Sequence, residues 1–239
     1  MKGSAGRAAA EGLPSPGGSW RRPARGTATA TVTLYLLQQN LMRFDHQKFL
    51  HSYHAHYGAL DQGQSSGLTR LLDFFGQDKA LTDLRWAAYM LATVKLECAD
   101  RWQPIEEYGK GHGQDYGKPV TVKGKDGKTY TNVYYGRGYV QLTFEENYRK
   151  MSEALKLGDE LLIHPERALE PAIAYRIMSY GMRHGSFTGK RLGDFIHGSG
   201  CDYYRAREII NGHNKAELIQ GYAAKLEAAL KGSLVKEGP

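Results

Sequence analysis

The chain has 239 residues, enough for one large domain or two small ones. At 41% hydrophobic and 24% charged it has the make-up of a globular protein; its best apolar run, Val32 to Leu37, is far short of the roughly 18 residues of a membrane span, so stable membrane insertion is not expected. The net charge of +7 is concentrated at the start: Lys2, Arg7, Arg21, Arg22 and Arg25 against Glu11 put +4 in residues 1–28, and the +3 left on the body is no argument for a nucleic-acid partner.

Residues 1–26 hold six glycines and three prolines with no apolar period, so 1–28 reads as a disordered basic tail. A secretory signal would need an apolar stretch directly after a basic start, and this tail intervenes, so work on a cell wall would need another release route or a different start. Thr27 to Leu36 alternates like a strand. Asp45 is placed to cap a helix running to about His56. Leu68, Leu71, Leu72 and Phe75 fall at helical spacing in the next segment. Thr82 can cap a third helix with the apolar stripe Leu84, Ala88, Leu91 and Val94, ending near Glu97 or Cys98.

Residues 112–133 change character, with two short β-prone runs around Gly124-Lys125-Asp126-Gly127, a hairpin signal. Thr143 and Glu146 spell a capping box for a helix to about Lys156, stopped by Gly158. Pro171 can open the next helix, Asp202 can cap Tyr203 to Ile210, and an amphipathic helix from Lys215 closes the chain. The expected architecture is mainly α, an α+β fold with one small inserted β-hairpin and a domain spanning about 44–232.

The chemistry candidates are few. Cys98 and Cys201 could pair, or stay as two buried free thiols; neither lies in a C-x-x-C, so zinc has no support. His51, His54 and His56 do not all share one helix face. No metal or cofactor is expected. Gly136-Arg137-Gly138 lacks the third glycine of a dinucleotide loop and the Lys-Ser/Thr of a P-loop. The acids are more informative. Glu97 closes an apolar helix, where the dipole and apolar neighbours disfavour charge, as a general acid requires. Ten positions later Glu107, with Glu106 beside it, sits in a polar glycine-containing loop suited to an ionised carboxylate. Two such carboxyls are what glycoside hydrolysis needs.

The string YYGRGYVQLTFEENY, preceded by LATVKLECADRWQPIEEYGKG and followed by HPERALEPAIAYRIMSYGM and REIINGHNKAELIQGYAAKL, resembles glycoside hydrolase family 19 over roughly residues 44–231, most nearly its phage and bacterial endolysin branch. The resemblance implies a lysozyme-like, two-lobed helical fold that cleaves β-1,4 links in N-acetylglucosamine-containing polymers with inversion. It puts the general acid on Glu97 and the second carboxylate on Glu107, with Glu106 as runner-up. Gln141, Asn147 and Asn211 match substrate contacts. Thr143 matches the hydroxyl that holds the attacking water, although the residues alone also allow a plain helix cap. Tyr139 could stack on a sugar or sit in the core. Two departures stand out: Leu96-Glu97-Cys98 replaces the His-Glu-Thr of many relatives, and the arginine that some place downstream of Ile-Asn-Gly has no match. The expected partner is a polysaccharide bound by a monomer, with peptidoglycan favoured and chitin the alternative. A glycan-binding module without activity is the reading from another class.

Overall fold

The computed structural model describes residues 41–235, so the expected tail at 1–28 and the strand at Thr27 to Leu36 lie outside the described residues. Among them are eight α-helices: α1 (His46–Tyr57), α2 (Gln62–Gln77), α3 (Leu84–Glu97), α4 (Glu145–Ala154), α5 (Glu160–Ile163), α6 (Pro171–His184), α7 (Leu192–Phe195) and α8 (Ala216–Ser233). The strands form three antiparallel pairs: β1 (Ile105–Glu106) with β4 (Arg137–Gly138), β2 (Val120–Lys123) with β3 (Thr129–Asn132), and β5 (Ile196–His197) with β6 (Gly200–Cys201). The molecule is mainly helical with a small inserted hairpin. None of these helices is long and apolar enough to cross a membrane.

Local chemistry sets most helix starts. The Asp45 carboxylate accepts from Lys48 N–H at 3.1 Å. Asp61 and Gln64 cap each other's backbone at 2.7 and 2.9 Å. Asp83 rather than Thr82 caps α3: its carboxylate accepts from Arg85 N–H at 2.9 Å and also meets the Arg85 guanidinium at 2.6 Å, a pair of bonds a threonine could not make. Pro171 opens α6, and Gly185 ends it in the left-handed conformation at φ 72°.

Helix α3 is the axis of the core. Every residue from Ala87 to Lys95 is buried, so the single stripe expected from the sequence is in fact burial on all sides. Helix α8 packs along α3, and α1 packs on α8. Lys95 is the charged exception. Its Nζ lies 4.1 Å from the Tyr57 ring centre, accepts enclosure by Tyr53, Tyr222 and Trp102, and is ion-paired with Asp100. Burial opposes its charge, but Asp100 and the Tyr53 hydroxyl outweigh that and hold the ammonium above its usual range.

Two further expectations are corrected. The Thr143–Glu146 capping box does not form: α4 starts at Glu145, and its N-cap is Phe144, at φ 67° and ψ 135°, without a side-chain bond. Asp202 does accept from Arg205 N–H at 2.9 Å, but the segment it starts is a 3-10 turn, Arg205–Ile209.

Candidate active site

Glu97 is the last residue of α3, and the chain turns sharply after it. Ala99, Asp100 and Trp102 all have positive φ, and the Lys95–Asp100 ion pair holds that turn against the helix. Helix α2 closes on the same turn at Gly67, where a Cβ would stand 2.2 Å from the Trp102 carbonyl oxygen. The Glu97 carboxylate does not meet the apolar surroundings expected of it. Its Oε1 accepts from Arg207 Nη1 at 2.7 Å, and Arg207 is almost wholly buried, with 3% of its side chain exposed against 19% for Glu97. Arg207 Nε also donates to the Asn214 carbonyl at 2.9 Å, and its own carbonyl accepts from Asn211 N–H at 3.0 Å. The Ile-Ile-Asn-Gly turn is thus folded around the arginine that fixes Glu97.

Glu97, Gln141, Thr143, Asn147 and Asn211 line one cavity of about 300 Å³, together with Phe144, Phe187 and Ile210. Five side chains singled out from the sequence therefore meet. Gln141 sits at φ 52°, a left-handed conformation unusual outside glycine. Its Nε2 donates to the Ile105 and Gly138 carbonyls at 3.1 and 3.0 Å, so the amide is locked across the β1–β4 pair. Asn147 Nδ2 donates to the Thr143 carbonyl at 2.9 Å. Thr143 forms no helix cap and lines the same cavity.

Glu107 stands apart from this group. It borders a neighbouring cavity with Glu106, Tyr108 and Lys110. Its carboxylate accepts from Gly111 N–H, and from Gly136 N–H at 3.1 Å. Gly136 links the two regions: a Cβ there would lie 2.8 Å from Glu107 Oε2 and 2.9 Å from Gln141 Oε1. The loop carrying Glu107 is tight, since a Cβ on Gly117 would stand 1.8 Å from the Gly111 oxygen. Burial, reinforced by the Glu107 carboxylate, raises the Tyr116 phenol, and the Tyr116 ring packs on Gly111, where a Cβ would stand 3.2 Å from its Cδ2.

Glu106 has different company. The Tyr135 hydroxyl donates to it at 2.5 Å, Lys110 Nζ lies at 3.1 Å and Arg137 Nε at 3.8 Å. The Tyr135 bond, with the two cations, holds its carboxyl below the usual range. Arg137, the residue between the paired glycines, is buried with its guanidinium 3.6 Å from the Tyr135 ring centre, and donates to the Val133 carbonyl and the Tyr148 hydroxyl at 3.0 and 3.1 Å. It is a structural hub of the Gly-Arg-Gly turn.

Tyr139 is a correction. It has no exposed surface, and its hydroxyl has no partner, so it is a core ring that cannot stack on a sugar. Cys98 and Cys201 are free thiols, but only Cys98 is buried. The Cys98 Sγ faces the Gly138 and Tyr139 carbonyls at 3.7 Å each, bracing the end of α3 against the opposite wall. Among the described residues no group of three His, Cys, Asp or Glu side chains could hold a metal ion. The reading of the sequence missed Arg207 and Phe144. Both stood inside the resembling strings: Arg207 opens REIINGHNKAELIQGYAAKL, 110 positions from Glu97, and Phe144 lies within YYGRGYVQLTFEENY, but nothing local ties either side chain to the acid.

Another cavity of about 380 Å³, beside Phe74, Tyr175 and Arg183, lies outside this group. Its one acid, Asp78, already accepts from Ser179 and Tyr175 at 2.6 and 2.9 Å.

No protein-family model and no curated protein matches the chain. Among solved structures it is similar to a point mutant of chitinase C, at 18% identity and a TM-score of 0.45 over 82% of this chain and 95% of that one. It is similar also to chitinase C from Streptomyces griseus HUT6037, at 18% identity and a TM-score of 0.42 over 91% of this chain and 82% of that one.

Proposed function

We propose that this chain is an inverting endo-glycosidase of lysozyme-like, two-lobed form, a relative of the endolysin branch of glycoside hydrolase family 19, acting on β-1,4 links of an N-acetylglucosamine-containing cell-wall polymer. The observation that carries the proposal is the meeting of Glu97, pinned by Arg207, with Gln141, Thr143, Asn147 and Asn211 around one cavity. A carboxyl held in one orientation beside amide and hydroxyl groups suits a polyhydroxylated substrate.

In this reading Arg207 orients the Glu97 carboxyl through Oε1, and the other oxygen carries the proton that goes to the leaving glycosidic oxygen. Glu107 takes a proton from the water that attacks the opposite face of the sugar, and the Thr143 hydroxyl positions that water. Inversion leaves room for the water by keeping the carboxyls about 6.5–9.5 Å apart. Glu107 is preferred to Glu106 because two cations and a phenol already occupy Glu106, whereas the Glu107 carboxylate accepts from the Gly111 and Gly136 backbone amides. Gln141, Asn147 and Asn211 bind substrate. Peptidoglycan is the favoured polymer, on the ten-residue gap between the acids and the local sequence around each. The domain is proposed to span 44–232 and to work as a monomer.

Digestion of peptidoglycan and chitin side by side, with product ends identified by mass spectrometry, tests this reading. New reducing ends from peptidoglycan at the higher rate are expected. Release from neither polymer, with binding retained, would leave a glycan-binding module instead.

A further inference from the structure

Phe144 is a large apolar side chain with 47% of its surface exposed, at a backbone position that favours glycine (φ 67°, ψ 135°). Its backbone is the N-cap of α4, but its side chain makes no cap bond, so helix capping does not account for an exposed ring there. Strained positions of this kind persist where the surroundings or the function demand them. Phe144 also divides space in a particular way. With Asn147 it forms the wall shared by the cavity of Glu97 and a second cavity of about 370 Å³. Across that second cavity the Tyr116 ring meets Phe144 edge-on, with centres 5.3 Å apart. The acids at its rim are taken up locally: Asp115 by Lys118 at 2.7 Å, Glu146 by Lys150 at 2.7 Å and Glu145 by Arg149. The feature left facing the space is therefore aromatic.

We infer that Phe144, backed by Tyr116, is a sugar-stacking platform that carries the glycan past the Glu97 cavity into the second one, and that the left-handed backbone at Phe144 is kept for this purpose. The inference rests on the glycosidase reading. The apolar C–H face of a β-linked N-acetylglucosamine ring is the ligand surface that an exposed ring without a polar handle can cover.

The test compares Phe144→Gly and Phe144→Trp in the non-hydrolysing Glu97→Gln chain, by calorimetric titration with the N-acetylglucosamine hexamer and with soluble peptidoglycan glycan strands. Glycine relieves the backbone and removes the ring. Phe144→Gly is expected to melt at or above the temperature of the Glu97→Gln parent while binding about fivefold to tenfold more weakly, and Phe144→Trp to bind within about twofold of the parent. Binding by Phe144→Gly within twofold of a parent that binds well overturns the platform alone and leaves the glycosidase reading in place. A parent chain that binds neither glycan overturns both. A fall in melting temperature in Phe144→Gly assigns Phe144 to packing and overturns the inference.

Discussion

Arg207 Nη1 donates to Glu97 Oε1 at 2.7 Å across 110 residues of sequence. No arginine follows Ile-Asn-Gly at the position some relatives use; the guanidinium that reaches the acid comes from four residues before Asn211. Removing it strands a carboxylate of which only 19% of the side chain is exposed. Arg207→Met should cost about 3 kcal/mol of unfolding free energy, the low end for a broken buried pair because Glu97 keeps some water. Activity should fall further than stability does, since Glu97 would lose its fixed orientation. Urea unfolding and turnover, measured on the same preparation, separate the two effects.

Gly136→Ala should do the reverse. Gly136 is not at positive φ, so the new backbone is unstrained, and the added Cβ meets mainly the ends of the Glu107 and Gln141 side chains. The melting temperature should stay within a few degrees of the parent. Turnover should drop about 10²-fold, the scale of a displacement near 1 Å at reacting groups. Unchanged turnover would remove Glu107 and Gln141 from the machinery together.

Tyr139→Phe tests the reassignment of Tyr139 to the core. Its buried hydroxyl has no partner, so deleting it should be neutral or stabilising by up to about 1 kcal/mol, with turnover and glycan affinity unchanged. Thermal melts and steady-state kinetics decide it, and a loss of affinity would return Tyr139 to the substrate.

What was legible in the sequence was local. Asp45 and Pro171 act on their own helix ends, and the Gly124–Gly127 turn needs only its flanking strands, so each could be read directly. The fate of Thr143 was not local. Phe144 takes the positive φ that begins the helix, which shifts the start by one residue and leaves Thr143 outside the cap, lining the cavity. Burial of Tyr139 and Arg137 depends on α3 and the β1–β4 pair closing over them, and short-range periodicity carries no trace of that. Five of the seven site residues converge from one string, one turn and the end of α3; Glu107 comes in on a separate loop, and Gly136 reveals its proximity to Gln141.

Glu106 gives a pH signature. Its carboxyl is held below 4.5 in the folded chain, first by the Tyr135 bond and then by Lys110 and Arg137. The unfolded chain therefore takes up the proton first as pH falls. The stability from Glu106 is complete above pH 4.5 and is lost as pH drops through the lower folded value. Glu106→Gln should be less stable than the parent at neutral pH by less than about 1 kcal/mol, given the partial exposure of the group. The gap should close below pH 4.5 in thermal melts. A gap constant with pH would mean that Glu106 contributes through shape rather than charge.

The central claim is that Glu97 is the proton donor of an inverting hydrolysis. The most direct test is proton NMR of fresh digests of peptidoglycan glycan strands by the parent chain and by Glu97→Gln, with circular dichroism to verify the fold of the variant. The α-anomer should appear first with the parent, and the rate should fall about 10²–10⁴-fold in the variant, the usual contribution of a general acid. Near-parental turnover by a folded Glu97→Gln chain, or a β-anomer as the first product, would contradict it.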